Sequence, residues 1–378
     1  MSIADARRPS GRSFLLDVLK AAGCILIVLH HLSFYGPMSD VVMFYRPELI
    51  DWLTEYGRVA VQVFLVCSGY LTASAWTARP VVSWRGVLQL AWHRYLRLSL
   101  PLLAALSVAV LVTEAVRPGF DHPSLSSPPQ WEQAVAHVLL LQHLFDLEAL
   151  SAGVWYVSID FQLYGITLLV LWLVSVMAPW RSTGRVEALR VQWMLGLTVL
   201  SLIRWNVNPD LDVYGLYFFG AYGMGWLAYR ARLSRIPPKG WAVLLALGGL
   251  AWWVDPRLRI TTAWAVALLL ALAPDAWLRA QVSTGWRWPI SALARISYSV
   301  FLIHYAMILL VSAWVTAHWP HSLFWNATGM GAVVVLSILA GAVLYHLTEK
   351  RRPNGRRWLL WVAVFMGSTA LAMLPAQA

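Results

Sequence analysis

Four ionisable side chains lie inside the first apolar run of the chain, where a charged group is costly and is therefore a functional candidate. They are Asp17, Lys20, His30 and His31. On a helix with 3.6 residues per turn, Asp17, Lys20 and His31 share one face, and Lys20 and His31 are roughly 16 Å apart along the axis. An imidazole titrates near neutral pH, which makes His31 a candidate general base. A structural role, with an Asp17–Lys20 ion pair and a hydrogen bond from His31 to another helix, remains open.

A second group of polar side chains lies at the start of another apolar segment, in the run 153–165. Asp160 stands well inside this segment, with Trp155 and Ser158 close by in sequence. A buried carboxylate needs a partner, and a carboxylate beside an imidazole orients the ring and stabilises its protonated form. Asp160 is therefore a candidate partner for His31, while a helix cap at the membrane surface is the alternative.

Arg94 and Arg97 are spaced so that they share a helix face at the edge of a third apolar run. Two guanidinium groups in this arrangement suit phosphate groups, although anchoring at the inner membrane surface is the usual explanation for such a pair. The remaining candidates are polar groups in apolar surroundings: Ser297, Tyr298, His304 and Glu349. We find no nucleotide-binding, zinc or hydrolase signature, so the sequence predicts no metal site.

The elements that carry these residues are predicted to be membrane-spanning helices. Hydrophobic residues form 59% of the 378 residues, charged residues form 12%, and the mean hydropathy is +0.61. Soluble domains carry about 25% charged residues, so this chain could not cover a globular surface in water. The 23 Trp residues agree with this, because indole rings favour the boundary between membrane and water. The sequence therefore predicts an all-α, polytopic transmembrane bundle.

Eleven apolar runs are candidate spans, since a spanning helix needs about 20 mostly apolar residues. The runs are 14–34, 59–77, 98–116, 154–178, 191–205, 213–229, 241–254, 260–274, 296–316, 325–347 and 358–374. The stretch 132–147 is short, and we expect it to be a helix at the outer surface; 117–131 and 179–190 are expected to be loops. We therefore predict about 10–11 spans in one integral membrane domain over 1–378, with 358–374 as an additional C-terminal span and no fused soluble domain.

The distribution of basic residues predicts the orientation of these spans. The net charge is +11, but Lys and Arg come in short clusters between apolar runs, which follows the positive-inside pattern and argues against nucleic-acid binding. The pattern places the N-terminus, with residues 1–13 as a tail, on the cytoplasmic side. It also places Arg94 and Arg97 at the cytoplasmic surface and His31 near the outer one. We expect a bacterial inner membrane.

The order of these residues resembles the membrane acyltransferase-3 family. That family opens with an aspartate, then a basic residue, then ten residues and a histidine, and here Asp17, Lys20 and His31 are similar. The other similar segments are Phe64 with Ser68–Tyr70, Arg94 and Arg97 ahead of Pro101, Trp155 through Tyr164, Leu293 through His304, and Glu349 through Pro353. These six patterns run in family order from residue 17 to residue 353.

The resemblance implies transfer of an acyl group from cytoplasmic acyl-CoA to a hydroxyl of an extracytoplasmic carbohydrate. It implies that His31 and Asp160 are catalytic and that Lys20, Arg94 and Arg97 bind the acyl-CoA. The residues implied to bind substrate or support the site are Asp17, Trp155, Ser158, Tyr164, Ser297, Tyr298, His304 and Glu349. Lys20 stands where Arg is commoner, Gln62 where Asp is frequent, and Asp160 where Glu is usual, so the acceptor remains open.

Several alternatives stay open at this point. Transporters also keep His and Asp inside helices, although we see no paired halves with broken helices. A non-catalytic receptor or scaffold of the envelope is another possibility. Acetyl-CoA is the expected donor, with a succinyl or other acyl group as the alternative. Lipopolysaccharide, capsule, exopolysaccharide or another glycoside could be the acceptor, and a covalent acyl-enzyme and the oligomeric state are not decided by the sequence.

Overall fold

A computed structural model describes residues 13–76, 83–178, 182–233, 237–278 and 285–374, and these ranges contain α-helices and no β-strand. Residues 1–12, which form most of the expected tail, lie outside the described residues. The helices are α1 (Phe14–Leu32), α2 (Pro37–Tyr45), α3 (Pro47–Tyr56), α4 (Ala60–Trp76), α5 (Trp84–Val116), α6 (Trp131–Leu139), α7 (Trp155–Met177), α8 (Thr183–Leu200), α9 (Gly215–Leu233), α10 (Pro237–Val254), α11 (Leu258–Leu272), α12 (Asp275–Leu278), α13 (Arg287–His318), α14 (Leu323–Leu347) and α15 (Gly355–Ala372).

Seven helical segments within the described ranges are long and apolar enough to cross a membrane. They are Phe14–Leu32, Pro47–Trp76, Trp84–Gly119, Trp155–Met177, Thr183–Trp205, Arg287–His318 and Leu323–Leu347. The predicted all-α transmembrane architecture is confirmed by these seven. The other four expected spans coincide with α9, α10, α11 and α15, which are helices but are shorter or more polar, so a total of 10–11 spans and the cytoplasmic N-terminus stay predictions.

Three helices begin earlier than the apolar runs indicate, and α8 is the clearest case. The predicted loop over 179–190 is wrong from Thr183 onward, because α8 begins there and Arg190 is buried within it. Glu187, one turn before, accepts from Arg190 at 2.6 Å and also pairs with Arg230 of α9 at 3.1 Å. Neutralisation within the protein lets this charged turn continue the helix. In the same way, α5 begins at Trp84 rather than near 98, and α13 at Arg287 rather than near 296.

The stretch 132–147 contains one short helix, as predicted. Helix α6 has nine residues and is therefore about 14 Å long, less than half of the ~30 Å hydrocarbon core. It ends at Leu140, whose φ of 59° places it in the left-handed region and stops the helix. This segment is too short to span, and its location on the outer side stays a prediction.

The described residues divide into two compact units. Unit 1 contains the chain up to Gly23, Val61–Trp92 and Ile159–Ala294. Its centre is α9, which buries most of its side chains and packs against α8, α10 and α11. Helix α4 also approaches α9 closely, because a Cβ at Gly69 would overlap the Tyr222 carbonyl and a Cβ at Gly225 would overlap the Val66 carbonyl. Small residues allow such backbone contact between membrane helices.

Unit 2 contains Cys24–Ala60, His93–Ser158 and the chain from Arg295 onward. In this unit α2 packs against α3 and α14, and α6 packs against α15. A buried cluster joins α5 and α13 to the segment after α5 through Ala109, Phe120, Tyr305 and Leu309. The Tyr305 hydroxyl also donates to the Ser124 carbonyl at 2.7 Å, which fixes the connection between α5 and α6 against α13.

Candidate active site

The candidate residues are distributed over both units. Unit 2 contains nine of them: His31, Arg94, Arg97, Trp155, Ser158, Ser297, Tyr298, His304 and Glu349. Unit 1 contains the other four: Asp17, Lys20, Asp160 and Tyr164. Each group is therefore held by its own set of helix contacts.

His31 and His304 form a buried pair in unit 2. His31 lies in the last turn of α1, and its Nδ1 is 2.6 Å from Nε2 of His304 on α13. The two rings are nearly parallel, at an interplanar angle of 9°, and meet edge to edge with centroids 4.8 Å apart. Nδ1 of His304 is in turn 2.6 Å from the carbonyl oxygen of Phe301. The candidate base identified from sequence thus has a second histidine as its hydrogen-bond partner.

The Phe301 carbonyl determines where the protons of this pair lie. A carbonyl oxygen only accepts hydrogen bonds, so Nδ1 of His304 carries a hydrogen, and in the neutral ring Nε2 is then an acceptor. His31 must therefore donate from Nδ1, which leaves the lone pair of the neutral His31 ring on Nε2. That atom forms no hydrogen bond with any residue of the described ranges. The geometry thus leaves one imidazole nitrogen able to accept a proton from a substrate.

Gly153 allows the backbone to pass close to this pair. Its φ is +76°, a conformation that L-residues adopt at a cost, and an added Cβ would lie 2.8 Å from the Phe301 ring and 3.4 Å from Cε1 of His31. Only glycine fits here without displacing the rings. The glycine at the start of the run 153–165 is therefore explained by its contact with His31 and not by the helix that follows.

Aromatic rings surround His31 on the side that follows α1. Phe34 lies edge-on to both His30 and His31, with centroids at 5.0 and 5.8 Å, and its side chain is 38% exposed. Tyr35 lies between His31 and Tyr305, at 5.4 and 5.5 Å. His30 points elsewhere, and its Nδ1 is 3.0 Å from the Leu53 carbonyl. Phe34 is therefore the more exposed side chain of the ring cluster around His31, a contact that the sequence did not indicate.

Helix α13 connects the histidine pair with the arginines of α5. The Tyr298 hydroxyl donates to the Leu98 carbonyl at 2.9 Å, one residue after Arg97. His304 follows Tyr298 by six residues, or about 9 Å along the helix axis. Arg94 is half-buried and Arg97 is exposed. In unit 2, α13 therefore contacts α5 next to Arg97 and α1 at His31, through two of its residues about 9 Å apart along the axis.

The other candidates of unit 2 support this helix or its neighbours. The Ser299 hydroxyl donates to the Glu349 carboxylate at 2.5 Å, which links α13 to the end of α14. The Ser297 carbonyl lies 3.6 Å from the Cys24 thiol of α1. Ser158 accepts from Gln142 at 3.1 Å. Trp155 is half-buried at the start of α7, next to the rings of His143 and Tyr156.

In unit 1, serines supply hydrogen bonds to the two candidate carboxylates. Ser291 donates to Asp17 at 2.6 Å, and Ser68 donates to Asp160 at 2.7 Å. Ser68 belongs to the segment Phe64 with Ser68–Tyr70 that is similar to the family, but the sequence did not identify either serine as a carboxylate partner. Lys20 is half-buried. The role of Asp160 in orienting His31 stays a prediction.

Tyr164 contributes to a buried cluster of unit 1. It packs against the residues Trp76, Val87, Leu168 and Leu171. Its position on α7 is one turn after Asp160, so the aromatic ring and the carboxylate share that part of the helix. Packing is the role that these contacts support.

His137 of α6 is a buried histidine that the sequence did not single out. Its Nδ1 is 2.7 Å from the Gln133 carbonyl, and its Nε2 accepts from the Leu150 N–H at 3.2 Å. Burial lowers the pKa of His137 to about 4, and the hydrogen bond to the Gln133 carbonyl acts against this shift. Both nitrogens are used by the backbone, so His137 is a structural residue.

No group of three or more His, Cys, Asp or Glu side chains in the described part of the chain is arranged to hold a metal ion. His31 supplies the lone pair, His304 fixes the tautomer, and Arg94 with Arg97 supplies positive charge in the same unit.

A family model matches most of the chain. The model of a family described as "Acyltransferase domain", Acyl_transf_3, matches residues 15–347. No curated protein and no solved structure matches the chain. The match begins before Asp17, includes the His31–His304 pair and ends at the last residue of α14. The chain belongs to the acyltransferase-3 family and is an integral membrane acyltransferase.

Proposed function

We propose that this protein transfers an acetyl group from cytoplasmic acetyl-CoA to a hydroxyl of an extracytoplasmic carbohydrate, in a bacterial inner membrane. The acceptor belongs to lipopolysaccharide, capsule, exopolysaccharide or another glycoside. The observation that carries the proposal is the buried His31–His304 pair, because it directs one unprotonated imidazole nitrogen away from its partner. Proton removal from a hydroxyl is the step in acyl transfer to a sugar that needs such a base.

The donor is held by positive charge in this proposal. Arg94 and Arg97 bind the phosphates of acetyl-CoA, because guanidinium groups form charge-assisted hydrogen bonds with phosphate oxygens. The exposure of Arg97 and the half-burial of Arg94 fit one group that meets the solvent and one that faces the protein. Lys20, ordered by Asp17, lines the path of the pantetheine arm.

The transfer step follows from the tautomer of the pair. Nε2 of His31 takes the proton of the acceptor hydroxyl while its oxygen attacks the thioester carbonyl. The new ester C–O bond forms, the C–S bond breaks, and the proton passes from His31 to the departing thiolate. The Nδ1–H of His31 stays bonded to His304, so the ring keeps its orientation while it carries the proton. Asp160 contacts the acceptor or stabilises the charged ring.

Acetyl transfer by membranes tests this proposal. Membranes that contain the protein are incubated with labelled acetyl-CoA, and label in the glycan fraction is measured. His31→Ala should abolish transfer, whereas His30→Gln should retain it, because glutamine can still donate to the Leu53 carbonyl. Equal transfer by His31→Ala and the wild type, at equal membrane insertion, would contradict the mechanism. Mass spectrometry of envelope glycans with and without the gene identifies the acyl group and the sugar, and a mass change of a succinyl group would replace acetyl in the proposal.

A further inference from the structure

An apolar groove lies on unit 1 between α7, α8 and the start of α9. Its volume is about 610 Å³, within the range of small-ligand sites. The lining along the helices is aliphatic and aromatic: Ile166, Leu169, Val170 and Leu173 from α7, and Trp193 and Leu197 from α8. From Gln162 to Leu173 the groove follows α7 for about 16 Å. This elongated, apolar shape suits a hydrocarbon chain.

One end of the groove, called the polar end below, carries the few polar atoms of an otherwise apolar lining. Gln162, Trp205 and Tyr214 line that end, and Gln162 is fixed there because it accepts from the Gly215 N–H at 2.7 Å. Trp205 is the last residue of a π-helical turn that follows α8. Trp and Tyr are the side chains that favour the membrane–water interface, so this end is where a lipid head group would lie.

Two arginines converge on the residue after Trp205. Arg257 and Arg259 both donate to the Asn206 carbonyl, at 2.6 and 3.1 Å. Asp255, at 2.9 Å from Arg257, is the acid that pairs with either guanidinium within the described ranges. Arg259 lies over the Tyr217 ring at 4.9 Å, and its Nε has no hydrogen-bond partner there. One positive charge is therefore left uncompensated beside the polar end of the groove.

Proximity of the two guanidinium groups favours an anion between or beside them. Burial lowers the pKa of Arg257, and the charge of Arg259 acts in the same direction. An anion that accepts hydrogen bonds from both groups would relieve this repulsion. A phosphate offers several acceptor oxygens in one compact group.

We infer that this groove binds an anionic phospholipid, with one acyl chain along α7 and α8 and the phosphate against Arg257 and Arg259. The apolar lining, with the arginine pair on the residue next to Trp205 at its polar end, matches an amphiphile with a phosphate head group. Neither a soluble anion nor a neutral lipid uses both features. The site belongs to unit 1 and does not depend on the proposed acyl transfer.

Retention of lipid by the purified protein tests the inference. The protein in detergent is supplied with phosphatidylglycerol or phosphatidylcholine, and bound lipid is counted by native mass spectrometry. We expect the wild type to retain one phosphatidylglycerol in preference to phosphatidylcholine. The double variant Arg257→Gln/Arg259→Gln should lose this preference by roughly tenfold. Arg204→Gln removes an exposed charge from the residue before Trp205 and should keep it, which makes it the matched control.

A second variant separates the chain from the head group. Leu169→Trp fills the groove from an exposed position and should lower retention of both lipids without changing the melting temperature of the lipid-free protein. Equal retention of phosphatidylglycerol by the double variant and the wild type would overturn the inference. Competition by millimolar inorganic phosphate against phosphatidylglycerol would also overturn it, because it would show an ion site that does not need the chain.

Discussion

Two buried histidines of unit 2, His31 and His137, differ in what their second ring nitrogen meets. His137 has Nδ1 on the Gln133 carbonyl and Nε2 on the Leu150 N–H, so both nitrogens are occupied by backbone. His31 has only Nδ1 engaged, by His304, within the described residues. Burial alone therefore does not distinguish a functional histidine from a structural one. Of these two histidines, only His31 keeps an open lone pair, which a base needs in order to take a proton from a substrate.

The largest expected effect comes from removing the partner of the open ring. His304→Leu leaves Nδ1–H of His31 without an acceptor, so the ring loses its fixed tautomer and orientation. We expect kcat to fall by about 100-fold, at the lower end of what general base catalysis supplies, with KM for acetyl-CoA little changed. Transfer kinetics measure both constants. His304→Gln restores an acceptor and should recover part of kcat; a Leu variant as fast as the wild type would show that His304 does not position His31.

Removing the structural histidine His137 of α6 should lower the stability of the protein and leave the rate of acyl transfer unchanged. His137→Leu leaves the Leu150 N–H and the Gln133 carbonyl without their partner, and we expect a loss of about 2 kcal/mol in the free energy of unfolding. A thermal melt in detergent measures the loss. At a temperature where both proteins are folded, kcat should match the wild type. A large fall in kcat with an unchanged melting temperature would show that His137 takes part in catalysis, and it would contradict the difference drawn between His137 and His31.

Gly153 tests how closely the backbone must approach the open ring. Gly153→Ala forces an L-residue to a φ of +76° and pushes a methyl group against Phe301. We expect about 1–2 kcal/mol of destabilisation and a reduced kcat, because the displaced Phe301 carries the carbonyl that fixes His304. Gly165→Ala is the control, since no atom lies within 4 Å of the Cβ it adds. Equal melting and turnover of the two variants would show that the loop tolerates a side chain.

Lowering the pH should gradually remove the stability that His137 of α6 contributes. The pKa of His137 is lowered to about 4 in the folded protein from an ordinary value of 6.5, so the unfolded chain binds the additional proton first. The stability that His137 contributes is complete above pH 6.5 and is lost as the pH falls toward 4, with about 1 kcal/mol lost by pH 5.5. Melting temperatures across this range measure the loss. If the melting temperatures of the wild type and of His137→Leu changed in parallel with pH, the lowered pKa of His137 would be contradicted.

The apolar runs predicted most of the architecture, because lipid exposure imposes a composition that the sequence displays directly. Helix starts were less accurate where charges are neutralised inside the protein. Arg190 has the composition of a loop residue, but its pairing with Glu187 keeps it within α8. Local sequence contains no information on a partner that folding brings from α9, such as Arg230.

The sequence predicted which residues belong to the candidate site, but it did not predict which of them contact one another. Helical periodicity placed Asp17, Lys20 and His31 on one face of α1, but it describes only one helix at a time. The hydrogen-bond partner of His31 lies 273 positions away, and the sequence indicated Asp160 as a candidate partner and His304 only as a supporting residue. The need for glycine at position 153 could not be predicted either, because it depends on how closely Phe301 packs against this backbone.

The protonation of the His31 ring tests the central claim most directly. Nitrogen-15 NMR of histidine-labelled protein, with the His31 signals assigned by comparison with His31→Gln, reports which ring nitrogen carries hydrogen in the resting, neutral protein. We expect a protonated Nδ1 and an unprotonated Nε2 for His31, and a change of this pattern in His304→Leu. A protonated Nε2 with an unprotonated Nδ1 in the wild type would contradict it, because His31 could then not accept the proton of a hydroxyl group at that atom.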